Sequence, residues 1–249
     1  MTNPAPHGSD PARQPDRQSL TPGDGVAVVE LFSSQGCNSC PPAEELLTEI
    51  DHDSRTRGEP VFALGFHVDY WDDLGWPDQF ADAAHTARQE AYARGFGSGR
   101  LYTPQMIVNG TVEFVGSDRG RAARAVASAL MSPAAAPLTL SVAEVADGGR
   151  RMVVGYRSER LSQHAVVNVA LVQRGLLSQI ARGENAGRTL RQDNVVRAFA
   201  SVPLDAEQGQ VELTTPPDLD PDRSKVIGYV QRESDRAVVG ATAVDLSAG

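Results

Sequence analysis

The chain has 249 residues, enough for one large domain or two modest ones. Its hydrophobic share of 41% supports a packed core, and its net charge of −9 at pH 7 repels phosphate, so nucleic acid is not an expected partner. Two cysteines are too few for a disulfide-built scaffold, and no run approaches the roughly 18 apolar residues of a membrane span.

Residues 1–25 are polar and proline-rich, with no apolar run after a basic start. A disordered tail is expected there, with no signal peptide and so a cytoplasmic location. Val26 to Phe32 is nearly continuous apolar sequence, suited to a strand buried on both faces. A turn over Ser33–Gly36 leads into a helix expected over 38–50. A second buried strand covers Val61 to Phe66, making a right-handed β-α-β crossover. Residues 68–100 read as a helical insertion, with a helix over 79–94. Asn109-Gly110 between two apolar runs predicts a hairpin, and Ser117 or Asp118 caps a helix running to Met131. That order is the arrangement of an α/β thioredoxin-like domain over 26–133. Beyond Pro133 and Pro137, Val-rich segments alternate with turn residues, which predicts a β-rich, sandwich-like domain over 134–249.

Both cysteines lie in Cys37-Asn38-Ser39-Cys40. A bond between them would staple almost nothing, so the pair points to chemistry rather than scaffolding. Pro41 and Pro42 fit only a first helical turn, which places Cys37 at or before the N-cap, where the helix dipole favours a thiolate. Cys37 then reads as the exposed nucleophile and Cys40 as the buried resolving thiol of a thiol–disulfide oxidoreductase. Two alternatives stay open. One is a metal-binding protein using the cysteine pair and His67, although His67 and His85 lack the usual ligand spacing. The other is a non-catalytic interaction module on the same fold.

Other candidates surround the pair. Thr103-Pro104 precedes a strand, where a cis proline would face the cysteines and Thr103 would help bind substrate; an ordinary trans proline opening an edge strand is the alternative. Glu30 interrupts an apolar strand seven residues before Cys37 and would exchange a proton with Cys40, unless it is a half-exposed strand-end glutamate. His67, Asp69 and Trp71 follow the carboxyl end of the second strand, where ligands bind in parallel sheets; structural packing is the alternative. The loop from Arg182 to Arg188 would offer arginines to an anion, or serve as a turn or domain contact. No cofactor or metal is required by these residues. The expected partner is a disulfide-containing protein or a small-molecule thiol.

These segments resemble a bacterial family known as domain of unknown function 1223, described as thioredoxin-like. The matching runs are Val29 to Pro42, Phe66 to Trp71, Tyr102 to Met106 with Val108-Asn109-Gly110, and Arg182 to Arg188. The resemblance spans roughly 26–245 and implies a thioredoxin-like domain followed by a β-rich region. It implies no substrate, and members of the family are often exported. Against thioredoxin itself, Gly36 stands where a tryptophan precedes the first cysteine, and Asn38-Ser39 replaces Gly-Pro.

Overall fold

The computed structural model of the chain describes residues 25–145, 150–159 and 164–246. The tail expected over 1–25 lies outside them, save for Gly25. Gly25 donates its N–H to the Leu130 carbonyl at 3.1 Å and bridges to Pro133.

The described residues form a mixed α/β fold with one large mixed sheet and two smaller antiparallel ones. Strand β1 (Ala27–Ser33) leads to helix α1 (Pro41–Arg57) and strand β2 (Val61–His67). Helix α2 (Ala83–Gly95), strands β3 (Gln105–Val108) and β4 (Val112–Val115), and helix α3 (Arg119–Leu130) follow. The remaining strands are β5 (Leu138–Val145), β6 (Arg151–Ser158), β7 (Ala165–Gln173), β8 (Leu176–Gln179), β9 (Thr189–Gln192), β10 (Val195–Pro203), β11 (Gln208–Thr214), β12 (Ser224–Arg232) and β13 (Val238–Asp245), with a 3-10 turn at Pro221–Arg223 before β12.

Local chemistry sets these boundaries. Asp118 accepts from the Arg121 N–H at 2.9 Å and caps α3. Gly58, at φ 66°, ends α1. Asn109 and Gly110 both hold positive φ, as the tight turn between β3 and β4 requires. No helix among the described residues is long and apolar enough to cross a membrane.

The large sheet has the order β13-β12-β7-β10-β2-β1-β3-β4. β1 pairs in parallel with β2 and antiparallel with β3. β10 joins the edge of β2 at Val195–Gly65, so strands from both sides of residue 134 share one sheet. β5, β6 and β11 form the second sheet, and Met152, Val154, Val211 and Leu213 pack with Val167, Val169 and Val226 of the first. Around β1 the alternation of side chains decides what each face meets. Ala27, Val29 and Leu31 pack with Leu46 and Leu47 of α1 and Ala122 of α3. Val28, Glu30 and Phe32 face the other way, toward Tyr92 of α2 and Tyr229 of β12.

Candidate active site

The cysteines sit where β1 turns into α1, beyond the carboxyl ends of the parallel pair β1 and β2. Cys37 and Cys40 are joined by a disulfide with Cα atoms 5.5 Å apart. The helix begins at Pro41, not at Asn38, and Cys40 is its N-cap. Pro41 and Pro42 have no N–H, and those of Cys40, Ala43 and Glu44 go to the Cys37 and Cys40 carbonyls. That first turn therefore has no free N–H group to steady a thiolate, and the helix dipole acts there alone. Exposure does not separate the two thiols either, since both cysteines are wholly buried at 0%.

A hydroxyl takes the place of those N–H groups. Thr103 Oγ1 donates to Cys37 Sγ at 3.3 Å, and the Thr103–Pro104 bond is cis. Trp71 Nε1 donates to the same Oγ1 at 2.9 Å. The hydroxyl thus accepts from the indole and donates to sulfur. Ser39 Oγ lies 3.3 Å from Cys37 Sγ. Pro104, Ala43 and Leu31 crowd around Gly116, where an added Cβ would lie 3.1, 3.0 and 2.7 Å from them. Glycine alone lets this strand end approach α1.

His67 closes β2 and is buried, with Nδ1 2.6 Å from Asp78 Oδ2. Burial alone would lower its pKa, but Asp78 and then Glu44 raise it. Asp78 in turn is held below the usual carboxylate range; burial opposes this, and His67 with the Gln35 and Phe80 N–H groups overcomes it. Those two N–H groups donate to Asp78 at 2.7 and 2.9 Å. His67 thus braces the turn before Cys37 through Asp78 rather than touching sulfur directly. Asp69 accepts from the Thr86 hydroxyl at 2.5 Å and fastens the loop to α2.

Glu30 is placed otherwise than the sequence suggests. It lies on the α2 face of the sheet, whereas α1 packs on the opposite face. Arg88 Nε and Nη2 donate to its Oε1 at 3.0 and 2.7 Å, Tyr229 donates to Oε1 at 2.6 Å, and Tyr92 donates to Oε2. The period of two in a strand sends its carboxylate away from Cys40, so it does not serve the thiols.

The carboxylate on the cysteine side is Glu44, one helical turn after Cys40 and on the same helix face. It accepts from Ser33 Oγ at 3.0 Å. Burial raises its pKa, against the opposing pull of His67 and the Ser33 hydroxyl. Nothing in the sequence marked Glu44, because a glutamate in a first helical turn ordinarily serves the dipole in solvent.

The loop from Arg182 to Arg188 is the tip of the hairpin β8–β9, two strands too short and polar to be expected. Asn185 Nδ2 donates to the carbonyls of Gln35 at 2.8 Å and Cys37 at 3.0 Å. Glu184 Oε2 accepts from the Asn38 N–H at 3.0 Å. Gln35 anchors the stem, donating from Nε2 to Ser178 Oγ and Gln192 Oε1, both at 2.9 Å. Arg188 bonds Asn185 Oδ1 at 2.8 Å, so that arginine orders its own loop. Among the described residues no group of three or more His, Cys, Asp or Glu side chains is arranged to hold a metal ion.

A family described as proteins of unknown function (DUF1223) matches residues 28–231. The fold is similar to that of protein AGR_C_4864 from Agrobacterium tumefaciens, at 28% identity, TM-score 0.64, over 90% of this chain and 96% of that one. It is also similar to HBP35 of Porphyromonas gingivalis, at 11% identity and TM-score 0.63, over 91% and 76% of the two chains. That second likeness concerns the fold alone. No curated protein matches the chain.

Proposed function

The chain belongs to the DUF1223 family of proteins of unknown function, and for this member we propose a thiol–disulfide oxidoreductase built on a thioredoxin-like core. The observation that carries the reading is the Cys37–Cys40 disulfide against Thr103 and cis-Pro104. The order β1-α1-β2, then α2, the β3–β4 hairpin and α3, supports the core assignment.

In the reduced protein Cys37 is the attacking thiolate, and the Thr103 hydroxyl stabilises its charge. Cys37 Sγ bonds to one sulfur of a substrate disulfide, and the other leaves as a thiolate that takes a proton from solvent. Cys40 then gives its proton to Glu44, the carboxylate one helical turn further along, and its thiolate attacks Cys37 Sγ. The mixed disulfide breaks, the second substrate thiolate departs and is protonated, and the Cys37–Cys40 bond closes. Two electrons pass from the protein dithiol to the substrate. Trp71 and His67 act as positioning residues, one on Thr103 and one on Asp78. The substrate is a disulfide in a protein or small molecule.

Trapping tests this. Cys40→Ser accumulates a mixed disulfide on Cys37 that dithiothreitol releases, whereas Cys37→Ser and the double variant do not. Equal trapping by both single variants, or none by either, rejects the assignment.

A further inference from the structure

Both sulfurs are wholly buried, yet disulfide exchange needs a third sulfur in line with the bond being broken. Something must move. The β8–β9 hairpin is bonded to the backbone of this turn, Asn185 to the Gln35 and Cys37 carbonyls and Glu184 to the Asn38 N–H. Its two strands form a sheet of their own, separate from the larger two. A two-stranded hairpin is only marginally stable alone, so its place depends on these tip contacts and on the stem bonds of Gln35 to Ser178 and Gln192 and of Gln79 to Ser178.

Its ends are built to turn. Gly175 enters the hairpin at φ 71° and Asn194 leaves it at φ 58°. The two ends are tied across by the Gly175 N–H on Asp193 Oδ1 at 2.6 Å. The chain is fixed to the large sheet just before Gly175, where the Arg174 N–H bonds the Arg223 carbonyl at 2.9 Å, and at the far side of Asn194, whose carbonyl accepts from the Gly65 N–H at 2.7 Å. Asn194 is fully buried, and neither its amide nitrogen nor its amide oxygen has a hydrogen-bond partner. Buried polar groups without partners are uncommon and costly. Here the cost falls on the docked state, at the pivot.

We propose that the β8–β9 hairpin is a strap over the cysteine pair, which must swing about Gly175 and Asn194 before thiol exchange takes place. Asn185 latches it, and the unpartnered Asn194 amide keeps the latched state poised to open. The inference rests on the oxidoreductase reading for its purpose, but the motion is measurable without turnover.

The experiment follows reduction of the Cys37–Cys40 bond in the full chain by dithiothreitol, quenched by alkylation and read by mass. A dithiothreitol thiolate bonds to Cys37 Sγ, and Cys40 leaves as a thiolate and is protonated. The second dithiothreitol thiol then closes its own ring and frees Cys37, so two electrons enter the protein. Asn185→Ala removes the latch and speeds reduction about tenfold, two hydrogen bonds being lost. Glu184→Ala, on the exposed side of the loop, speeds it less and serves if the first variant does not fold. Asn194→Gly keeps the positive φ and removes the orphaned amide, so it slows reduction severalfold. General destabilisation would speed all three, so the opposite sign of Asn194→Gly is the mark of a strap. Unchanged reduction in both latch variants, or faster reduction in Asn194→Gly, overturns the proposal. Fast reduction of Asn185→Ala without turnover of any disulfide leaves the strap standing and removes the oxidoreductase reading.

Discussion

Two buried polar clusters lie on opposite faces of β1, and they are built differently. On the α2 face, Glu30 is surrounded by Arg88, Tyr92 and Tyr229, with Gln231 bridging to Tyr92 at 2.8 Å. Its charges are paired, and its members come from α2, β1 and β12, so it ties the early strands to the late ones. Arg88 also lies 4.9 Å over the Phe199 ring. On the other side, Glu44, His67 and Asp78 share two carboxylates and one imidazole, and their pKa values are displaced from the ordinary ones. The first cluster is a closed knot: Arg88, Tyr92 and Tyr229 are all displaced upward, which keeps each of them protonated near neutral pH. The second sets two raised groups, Glu44 and His67, beside a lowered one, Asp78, close to the turn that carries the thiols. A buried carboxylate is thus not by itself a sign of chemistry; its partners decide.

The largest expected effect breaks the knot. Arg88→Met leaves Glu30 buried without its cation and should cost about 3–5 kcal/mol. Urea unfolding measures the loss, and the rate of Cys37 alkylation in the folded, reduced protein should stay near the wild-type value. A large change in that rate would mean that Glu30 does reach the thiols.

A smaller effect is expected at the thiol itself. Thr103→Val removes the hydroxyl that donates to Cys37 Sγ, a bond to a charged acceptor worth about 1.5–3 kcal/mol once the thiolate forms. The pKa of Cys37 in the reduced protein should rise by about one to two units, read from the thiolate absorbance against pH. Trp71→Phe should shift it in the same direction by less, because the indole acts through Thr103.

The smallest effect is a matter of pH. The pKa of His67 is raised in the folded protein, so its contribution to stability is full below about 6.5 and is lost as pH rises through the folded value. Asp78 is lowered, so its contribution is present above about 3.9 and is lost as pH falls through its own folded value. Glu44 is raised, and its ionisation in the fold removes stability in the same direction as His67. His67→Gln should therefore flatten the alkaline side of the stability curve, measured by urea unfolding from pH 6 to pH 9. An unchanged slope would show that the pair does not carry the pH dependence.

The two clusters also mark how far the sequence could be read. Cys37-Asn38-Ser39-Cys40, Thr103-Pro104 and Trp71 are recognisable because chemistry needs those residue types close together in the chain or beside a strand end. Glu30 stands out in the chain for the same reason and belongs to the other cluster, because alternation along β1 turns it away from the face on which α1 packs. Glu44 and Asp78 look ordinary in the chain, and nothing sets Gln35 and Asn185 apart within the runs that hold them. Asp78 and Asn185 become part of the site only because residues 43 and 150 positions apart meet there, both bonding Gln35.

Short-range physics fixed the local elements. The apolar runs of β1 and β2, the paired prolines opening α1, the Asp118 cap and the Asn-Gly turn each act over a few residues, so sequence alone determined them. Tertiary structure decided which face each buried charge meets, that β10 joins the edge of β2, and that Asn185, in the hairpin between residues 176 and 192, bonds the carbonyls of Gln35 and Cys37. Those choices depend on long-range pairing and desolvation, where the partner of a charge is set by the packing of whole elements rather than by the residues beside it.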